Sequence, residues 1–229
     1  MPRDVENIPE LWPLSALNCS CGNDEIASNN SMTRSILTIL LCVAICPSCV
    51  AQAPATEAVQ ALRAPGWNYG FYVGGSQSFA ATPSAQSFLI AGRVGRVLTH
   101  ELGSNALRGS YEMDFDAIPI NEFWIGGKAQ YAGAINPLIA RWNFTAGKTV
   151  SPYAAAVGGI VFSSHQLPAP DTSQVNFTSG IELGIQWLHQ SKNSWDFAVK
   201  VYHLSNASLG RYNPGINGAV QFMVGYSWH

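Results

Sequence analysis

The sequence predicts an all-β protein, an eight-stranded antiparallel transmembrane β-barrel of the bacterial outer membrane. Apolar and polar residues alternate with period two along eight segments, the pattern of strands with two different faces. Charged residues make up only 11% of the 229 residues, less than half of the usual quarter, whereas apolar residues make up 47%. The few charges are mixed in sign and fall opposite the large aromatic residues, as expected if the barrel is polar inside and faces lipid outside.

The first 65 residues are expected to lie outside the barrel. Residues 1–31 have neither periodicity nor apolar content, and we interpret them as an upstream extension of the reading frame, with Met32 as the start. Residues 32–51 combine a positive start with an apolar run of about ten residues, typical of a secretory signal peptide. That run is too short to cross about 30 Å of hydrocarbon. Residues 52–65 form a Pro/Ala-rich lead, and the barrel is predicted over 66–229.

The five cysteines all lie before residue 50. They are Cys19, Cys21, Cys42, Cys46 and Cys49. No histidine accompanies them, so we expect no zinc site. Lipoprotein processing before Cys46 or Cys49 is disfavoured, because Ile45 is bulky and the usual upstream leucine is missing before Cys49. The 12 lysines and arginines are scattered, which argues against a nucleic-acid partner.

The strand pattern is cleanest in four of the eight segments. These four are 105–117, 138–146, 177–188 and 217–228, and the less regular ones are 69–79, 87–99, 152–162 and 195–205. A soluble secreted barrel, with its apolar face inward, is the alternative. Aromatic residues near the strand ends and the aromatic end of the last strand favour the membrane barrel. Eight strands enclose an interior that side chains can fill, and both a monomer and a homodimer are compatible with it.

Connection lengths orient the predicted barrel. The gaps at 117–136 and 163–176 are long, whereas those at 100–104, 147–151 and 189–194 are short. External loops of such barrels are longer than periplasmic turns, so the strand at 195–205 should run outward and end in the outer leaflet.

On neighbouring strands, Glu182 and Lys200 are predicted to form an ion pair in the lumen.

Two polar residues occupy the lipid-facing side of the strand at 195–205. Because Lys200 belongs in the lumen, alternation directs His203 and Ser205 outward. An imidazole and a hydroxyl are costly on such a surface. They are either polar side chains that reach the membrane interface or a serine nucleophile with a histidine base that faces a membrane-embedded ester.

The residues around this pair resemble a known family. The segment His203-Leu204-Ser205-Asn206-Ala207-Ser208-Leu209, followed by Asn213-Pro214-Gly215-Ile216-Asn217, is similar to the lipid A 3-O-deacylases of the outer membrane. The resemblance implies hydrolysis of the 3-position ester of lipid A in lipopolysaccharide, with release of a 3-hydroxy fatty acid and without metal or cofactor. It also implies that Ser205 is the nucleophile, that His203 is the general base, and that Asn206 with the Ser208 backbone N–H forms the oxyanion hole.

Two positions depart from the family pattern. Asn217 stands where the family has a glutamate, and Ser208 stands where it commonly has glycine. An asparagine can hold the imidazole tautomer, but it cannot offset the imidazolium charge. Strict alternation places Asn217 on the lumen side with Gln221, so a catalytic role requires a bulge. A carboxylate from elsewhere, such as Glu122 in the connection predicted at 117–136, is another candidate for orienting the histidine.

Asn217 also keeps other functions open. A non-catalytic barrel with a structural or ligand-binding role would not need a glutamate at this position. A soluble secreted lipid binder is a third hypothesis, and it predicts extraction without detergent.

Overall fold

The computed structural model describes residues 57–81, 84–189 and 192–229. The proposed upstream extension and signal peptide lie outside these residues. One short helix, α1 (Glu57–Ala61), precedes the strands, and a 3₁₀ helix spans Asn105–Leu107. The strands are β1 (Gly66–Ala80), β2 (Ala85–Val97), β3 (Gly109–Ile125), β4 (Lys128–Phe144), β5 (Val150–Leu167), β6 (Ser173–Leu188), β7 (Asn193–Ser205) and β8 (Ile216–Trp228). Each pairs antiparallel with the next, and β1 pairs with β8 to close the barrel. The predicted fold class is confirmed.

The outer wall of the barrel is apolar and the interior is charged. Leu183 and Phe222 are 59% and 47% exposed on the outer wall, whereas Glu112 and Arg141 in the interior are 0% and 2% exposed. Large aliphatic and aromatic side chains therefore face outward, as in a protein that lipid surrounds. No helix within residues 57–81, 84–189 and 192–229 is long and apolar enough to cross a bilayer.

Buried ion pairs fill the middle of the barrel. Arg93 donates two hydrogen bonds to Asp116, from Nε to Oδ1 at 2.6 Å and from Nη2 to Oδ2 at 3.0 Å. Its third nitrogen, Nη1, donates to Glu182 Oε1 at 3.1 Å. Arg141 Nη2 lies 2.8 Å from Asp114 Oδ2. Bidentate pairing of this kind offsets the cost of removing charges from water.

Glu182 and Lys200 are both buried in the lumen, as predicted, but no salt bridge joins them among the residues that the structure describes. The two residues are cross-strand partners, but the Glu182 carboxylate binds Arg93 and Tyr153. The Lys200 ammonium instead lies 5.3 Å from the centre of the Tyr202 ring. An arginine can bridge two carboxylates at once, and Arg93 reaches Glu182 across the barrel from β2.

Replacing Arg93 with methionine is expected to destabilise the barrel strongly. The change leaves Asp116 and Glu182 buried without their cation, which costs about 3–5 kcal/mol in comparable buried pairs. Urea unfolding of the protein in lipid vesicles measures the loss. Arg96→Met is the matched control, because Arg96 lies exposed on the outer wall of the same strand over Trp67. Equal losses for both variants would contradict a stabilising role for the interior pairs.

Helix α1 closes one end of the barrel. Its residues Ala58 and Val59, with Leu62 beyond it, form a buried cluster with Val97 and Leu188 at the strand ends. The sequence prediction describes 52–65 only as a Pro/Ala-rich lead and contains no helix there. A helix of five residues is too short to show helical periodicity, and it forms here because the barrel end supplies an apolar surface to pack on.

The predicted alternation of long and short connections is wrong. The expected long connection at 117–136 is a two-residue turn, Gly126-Gly127, whose φ angles of 56° and 78° suit glycine. Strand β3 therefore continues past 117, and Glu122 lies within β3 rather than in a loop. The expected connection at 163–176 shortens to 168–172, and the one at 100–104 lengthens to 98–108.

Bulges explain why the strand ends are misjudged. In the β3–β4 ladder the register shifts between Asp114 and Asp116 and again between Ile118 and Asn121. Each bulge interrupts the alternation that marks a strand, so the pattern ends before the strand does. The extended β3–β4 and β5–β6 hairpins project at the barrel end opposite α1, where the 206–215 connection also lies. That this end faces outward from the cell stays a prediction.

Candidate active site

His203 and Ser205 lie at the end of β7 on the outer wall. Both side chains are half-buried, whereas Tyr202 and Leu204 between and beside them point into the barrel and are buried. Val201, the next outward residue on the strand, is 48% exposed. The histidine and serine therefore continue an otherwise apolar strand face.

A bulge in β8 brings Asn217 to the same outer wall. Tyr202 pairs with Ala219 and Leu204 pairs with Ile216, so β8 has one more residue than β7 between these pairs. The extra residue reverses the alternation, and Asn217 is exposed beside His203 rather than directed into the lumen. The placement by strict alternation is wrong, and the bulge that a catalytic role requires is present.

Gly215 lies close to the side chains of both His203 and Asn217. A Cβ atom on Gly215 would lie 3.5 Å from His203 Cε1, 3.6 Å from Asn217 Oδ1 and 2.8 Å from Leu204 O. Only glycine fits this space, and its φ of 63° is also a conformation that favours glycine. The imidazole ring thus leans toward the start of β8, where the Asn217 amide lies.

The three polar side chains are neighbours without direct bonds. Within the part of the chain that the structure describes, no hydrogen bond joins His203 to Ser205 or to Asn217. Hydrogen bonds of catalytic groups are often long or poorly aligned before substrate binds. Glu122 belongs to another part of the wall, on β3 against Phe88 and Tyr131.

The loop after Ser205 is held by one asparagine. Asn206 is 1% exposed, and its Oδ1 accepts a hydrogen bond from the Ser208 backbone N–H at 2.9 Å. Its Nδ2 donates to Tyr212 O at 2.8 Å, and its backbone N–H donates to Asn213 Oδ1 at 3.1 Å. The two groups expected in the oxyanion hole are therefore bonded to each other in this conformation.

The turn between these groups has an uncommon backbone. Ala207 and Ser208 have φ angles of 48° and 64°, in the left-handed region. The Leu209 N–H closes the turn on Asn206 O at 2.9 Å. Left-handed conformations cost roughly 1–2 kcal/mol for residues other than glycine, so the turn is strained directly after the candidate nucleophile.

This loop rests on the 168–172 connection. Tyr212 N–H donates to Asp171 O at 3.0 Å. A Cβ atom on Gly210 would lie 2.6 Å from both the carbonyl carbon and the oxygen of Thr172. Sequence reasoning missed these supporting residues, because they are contacts between two loops that are distant along the chain.

Removing the Asn206 side chain is expected to loosen the loop. Asn206→Ala deletes the contacts with Ser208 N–H and Tyr212 O, which we expect to speed amide exchange across 207–212 by about 10-fold. Hydrogen–deuterium exchange with mass spectrometry measures this. Ser208→Gly keeps the N–H and relieves the left-handed strain, so its loop should exchange no faster than wild type. Unchanged exchange in Asn206→Ala would show that Asn206 does not hold the loop.

The comparison with known proteins places the chain in a family. Residues 56–227 match the family model described as lipid A 3-O-deacylase (PagL). The chain belongs to this family. Lipid A deacylases of the PagL family are hydrolases, and the family together with the apolar outer wall places the protein in the bacterial outer membrane. No curated protein matches the chain.

Solved outer-membrane barrels resemble the chain. The crystal structure of the outer membrane enzyme PagL is 18% identical and covers 71% of this chain and 99% of that one, with a TM-score of 0.48. Neisserial surface protein A (NspA) is 14% identical over 71% of this chain and 96% of that one, with a TM-score of 0.46. The N-terminal β-barrel domain of Pseudomonas aeruginosa OprF is 14% identical over 70% and 97%, with a TM-score of 0.42.

Proposed function

We propose that the protein hydrolyses the 3-position acyl ester of lipid A and releases a 3-hydroxy fatty acid. The observation that carries the proposal is the polar group formed by His203, Ser205 and Asn217 on a wall that faces lipid, in a chain of the PagL family. The ester of lipid A lies near the membrane surface, and the end of β7 is where such a substrate would meet these side chains.

The first half of the reaction acylates Ser205. His203 accepts the proton of the Ser205 hydroxyl while Oγ forms a bond to the ester carbonyl carbon. The tetrahedral intermediate then expels the sugar 3-oxygen, and the imidazolium returns the proton to that oxygen. In the second half, His203 removes a proton from water, whose oxygen attacks the acyl-serine. The 3-hydroxy fatty acid leaves, and the Ser205 hydroxyl is restored.

Asn217 would orient the imidazole without changing its charge. Its Oδ1 lies on the Gly215 side of the His203 ring, where an amide oxygen can accept an imidazole N–H. In serine proteases, replacing the aspartate of this role by asparagine lowers turnover by about 10⁴-fold. We therefore propose a slow enzyme relative to a chain with glutamate at this position.

The oxyanion hole would form by rearrangement of the turn after Ser205. We propose that the developing oxyanion displaces Asn206 Oδ1 from the Ser208 N–H, so that this donor turns to the substrate. The strain at Ala207 and Ser208 lowers the cost of leaving the observed conformation.

A non-catalytic barrel is the second candidate function. The observation that favours it is Asn217, since a barrel with only a structural role needs no carboxylate at this site. Purified protein incubated with lipopolysaccharide in detergent decides between the two. Free 3-hydroxy fatty acid, detected by mass spectrometry, supports the enzyme, and its absence supports the structural role.

A further inference from the structure

Ser179 places a second hydroxyl beside the candidate catalytic pair of His203 and Ser205. It lies on β6 directly across from His203, and its side chain is exposed on the outer wall. Its outward neighbours on β6 are apolar, since Phe177 and Ile181 are 37% and 64% exposed. Within the described residues the Ser179 hydroxyl has no hydrogen-bond partner. A hydroxyl facing hydrocarbon is costly unless a ligand satisfies it.

We propose that Ser179 binds the 3-hydroxyl group of the acyl chain that is cleaved, and so selects 3-hydroxyacyl esters. This inference rests on the proposed function. The acyl 3-hydroxyl lies two carbons from the carbonyl carbon that Ser205 attacks. A group at this distance from the reacting carbon needs a polar partner near, but not at, the nucleophile.

The spacing of the two serines fits this assignment. Ser205 pairs with Phe177, so Ser179 is its diagonal neighbour, and such residues lie about 7–8 Å apart. An attacking oxygen approaches to roughly 3–3.5 Å, and a hydroxyl–hydroxyl hydrogen bond spans roughly 2.7–2.8 Å. An acyl chain between the serines can therefore offer its carbonyl carbon to Ser205 and its 3-hydroxyl to Ser179.

The orientation of His203 leaves Ser179 free for substrate. The imidazole Cε1 lies near Gly215, on the β8 side of β7, whereas Ser179 is on the β6 side. On β5, the partner of Ser179 is Gly158, where a Cβ atom would meet nothing nearer than Leu138 O at 4.0 Å. The wall beyond Ser179 is thus open for the rest of the chain, which would run over Gly158.

Two matched esters test the assignment. The probes are glucosamine carrying 3-O-(3-hydroxytetradecanoyl) or 3-O-tetradecanoyl in detergent micelles, which differ only in the hydroxyl. Wild type is expected to show about 10-fold higher kcat/KM for the hydroxy ester, the effect of one neutral hydrogen bond. Ser179→Ala should lower kcat/KM for the hydroxy ester by about 10-fold, so that the ratio falls to about one. Ser179→Thr keeps a hydroxyl and should restore the preference.

The remaining outcomes separate this inference from the proposed function. Equal rates for the two esters in wild type, or a preference that survives in Ser179→Ala, would overturn the role of Ser179 and leave the esterase standing. If Ser179→Ala lowers kcat/KM equally for both esters, Ser179 orients His203 instead. This result would also overturn its role in substrate selection. Hydrolysis of neither ester by wild type, or equal hydrolysis by Ser205→Ala, would refute the esterase itself. Heat-modifiable migration on gels verifies that each variant is folded.

Discussion

Ser205→Ala is expected to abolish the release of 3-hydroxy fatty acid from lipopolysaccharide. Without the hydroxyl no acyl-serine can form, and loss of the nucleophile in serine hydrolases lowers turnover by about 10⁶-fold. Mass spectrometry of the free fatty acid, with purified protein in detergent, measures the effect. Ser84→Ala is the matched control, because Ser84 is exposed in the β1–β2 connection and belongs to no part of the site.

His203→Gln should lose nearly as much activity as Ser205→Ala. The two residues act as a unit, so the double variant should be little worse than either single one. His100→Gln controls for the loss of an exposed histidine at a distance from the site. Normal turnover in Ser205→Ala or in His203→Gln would rule out the proposed mechanism, even though the protein is a PagL family member.

Asn217→Glu is expected to raise kcat by about 10- to 10³-fold. Asn217 lies exposed beside His203, and a carboxylate there would stabilise the imidazolium that forms during the reaction. The protease precedent of about 10⁴-fold for aspartate over asparagine sets the upper bound. Partial exposure to water should reduce the gain, because exposed charges are screened.

Asn217→Gln separates charge from length. Glutamine has the size of glutamate without its charge, so this variant should not exceed wild type. If Asn217→Glu and Asn217→Gln show the same rate, the charge at this position has no influence, and Asn217 is a residue of the β8 bulge only. The kcat of both variants on the 3-hydroxytetradecanoyl ester is the deciding measurement.

Local alternation explains why the outward and inward faces of the barrel wall could be predicted from the sequence. In 177–186 each outward apolar residue is followed by an inward small or polar one, and this pattern continues in β6 without interruption. The prediction fails where a strand contains a bulge, as between Ile118 and Asn121 in β3, since an inserted residue exchanges the two faces. It fails also at α1, because packing against the barrel rather than helical period stabilises that helix.

The same distinction applies to the site. His203 and Ser205 are two residues apart on one strand, so alternation alone puts them together on the outer wall. The position of Asn217 depends on a bulge between β7 and β8, and that of Asn206 depends on hydrogen bonds within a ten-residue loop. Neither leaves a periodic signal in the sequence. The family motif could name these residues, but only the structure shows Asn206 bonded to Ser208.

The arginine and carboxylate side chains packed inside the barrel would determine the route of the reactants in the proposed reaction. Arg93 and Arg141 are held across the centre by ion pairs, so the proposed reaction would take place on the outside of the cylinder. Lipid A would arrive by diffusion within the plane of the membrane, and the severed fatty acid would depart sideways among its neighbours. Turnover should then depend on the surface density of lipid A and on the fluidity of the leaflet, as for an enzyme that works in two dimensions.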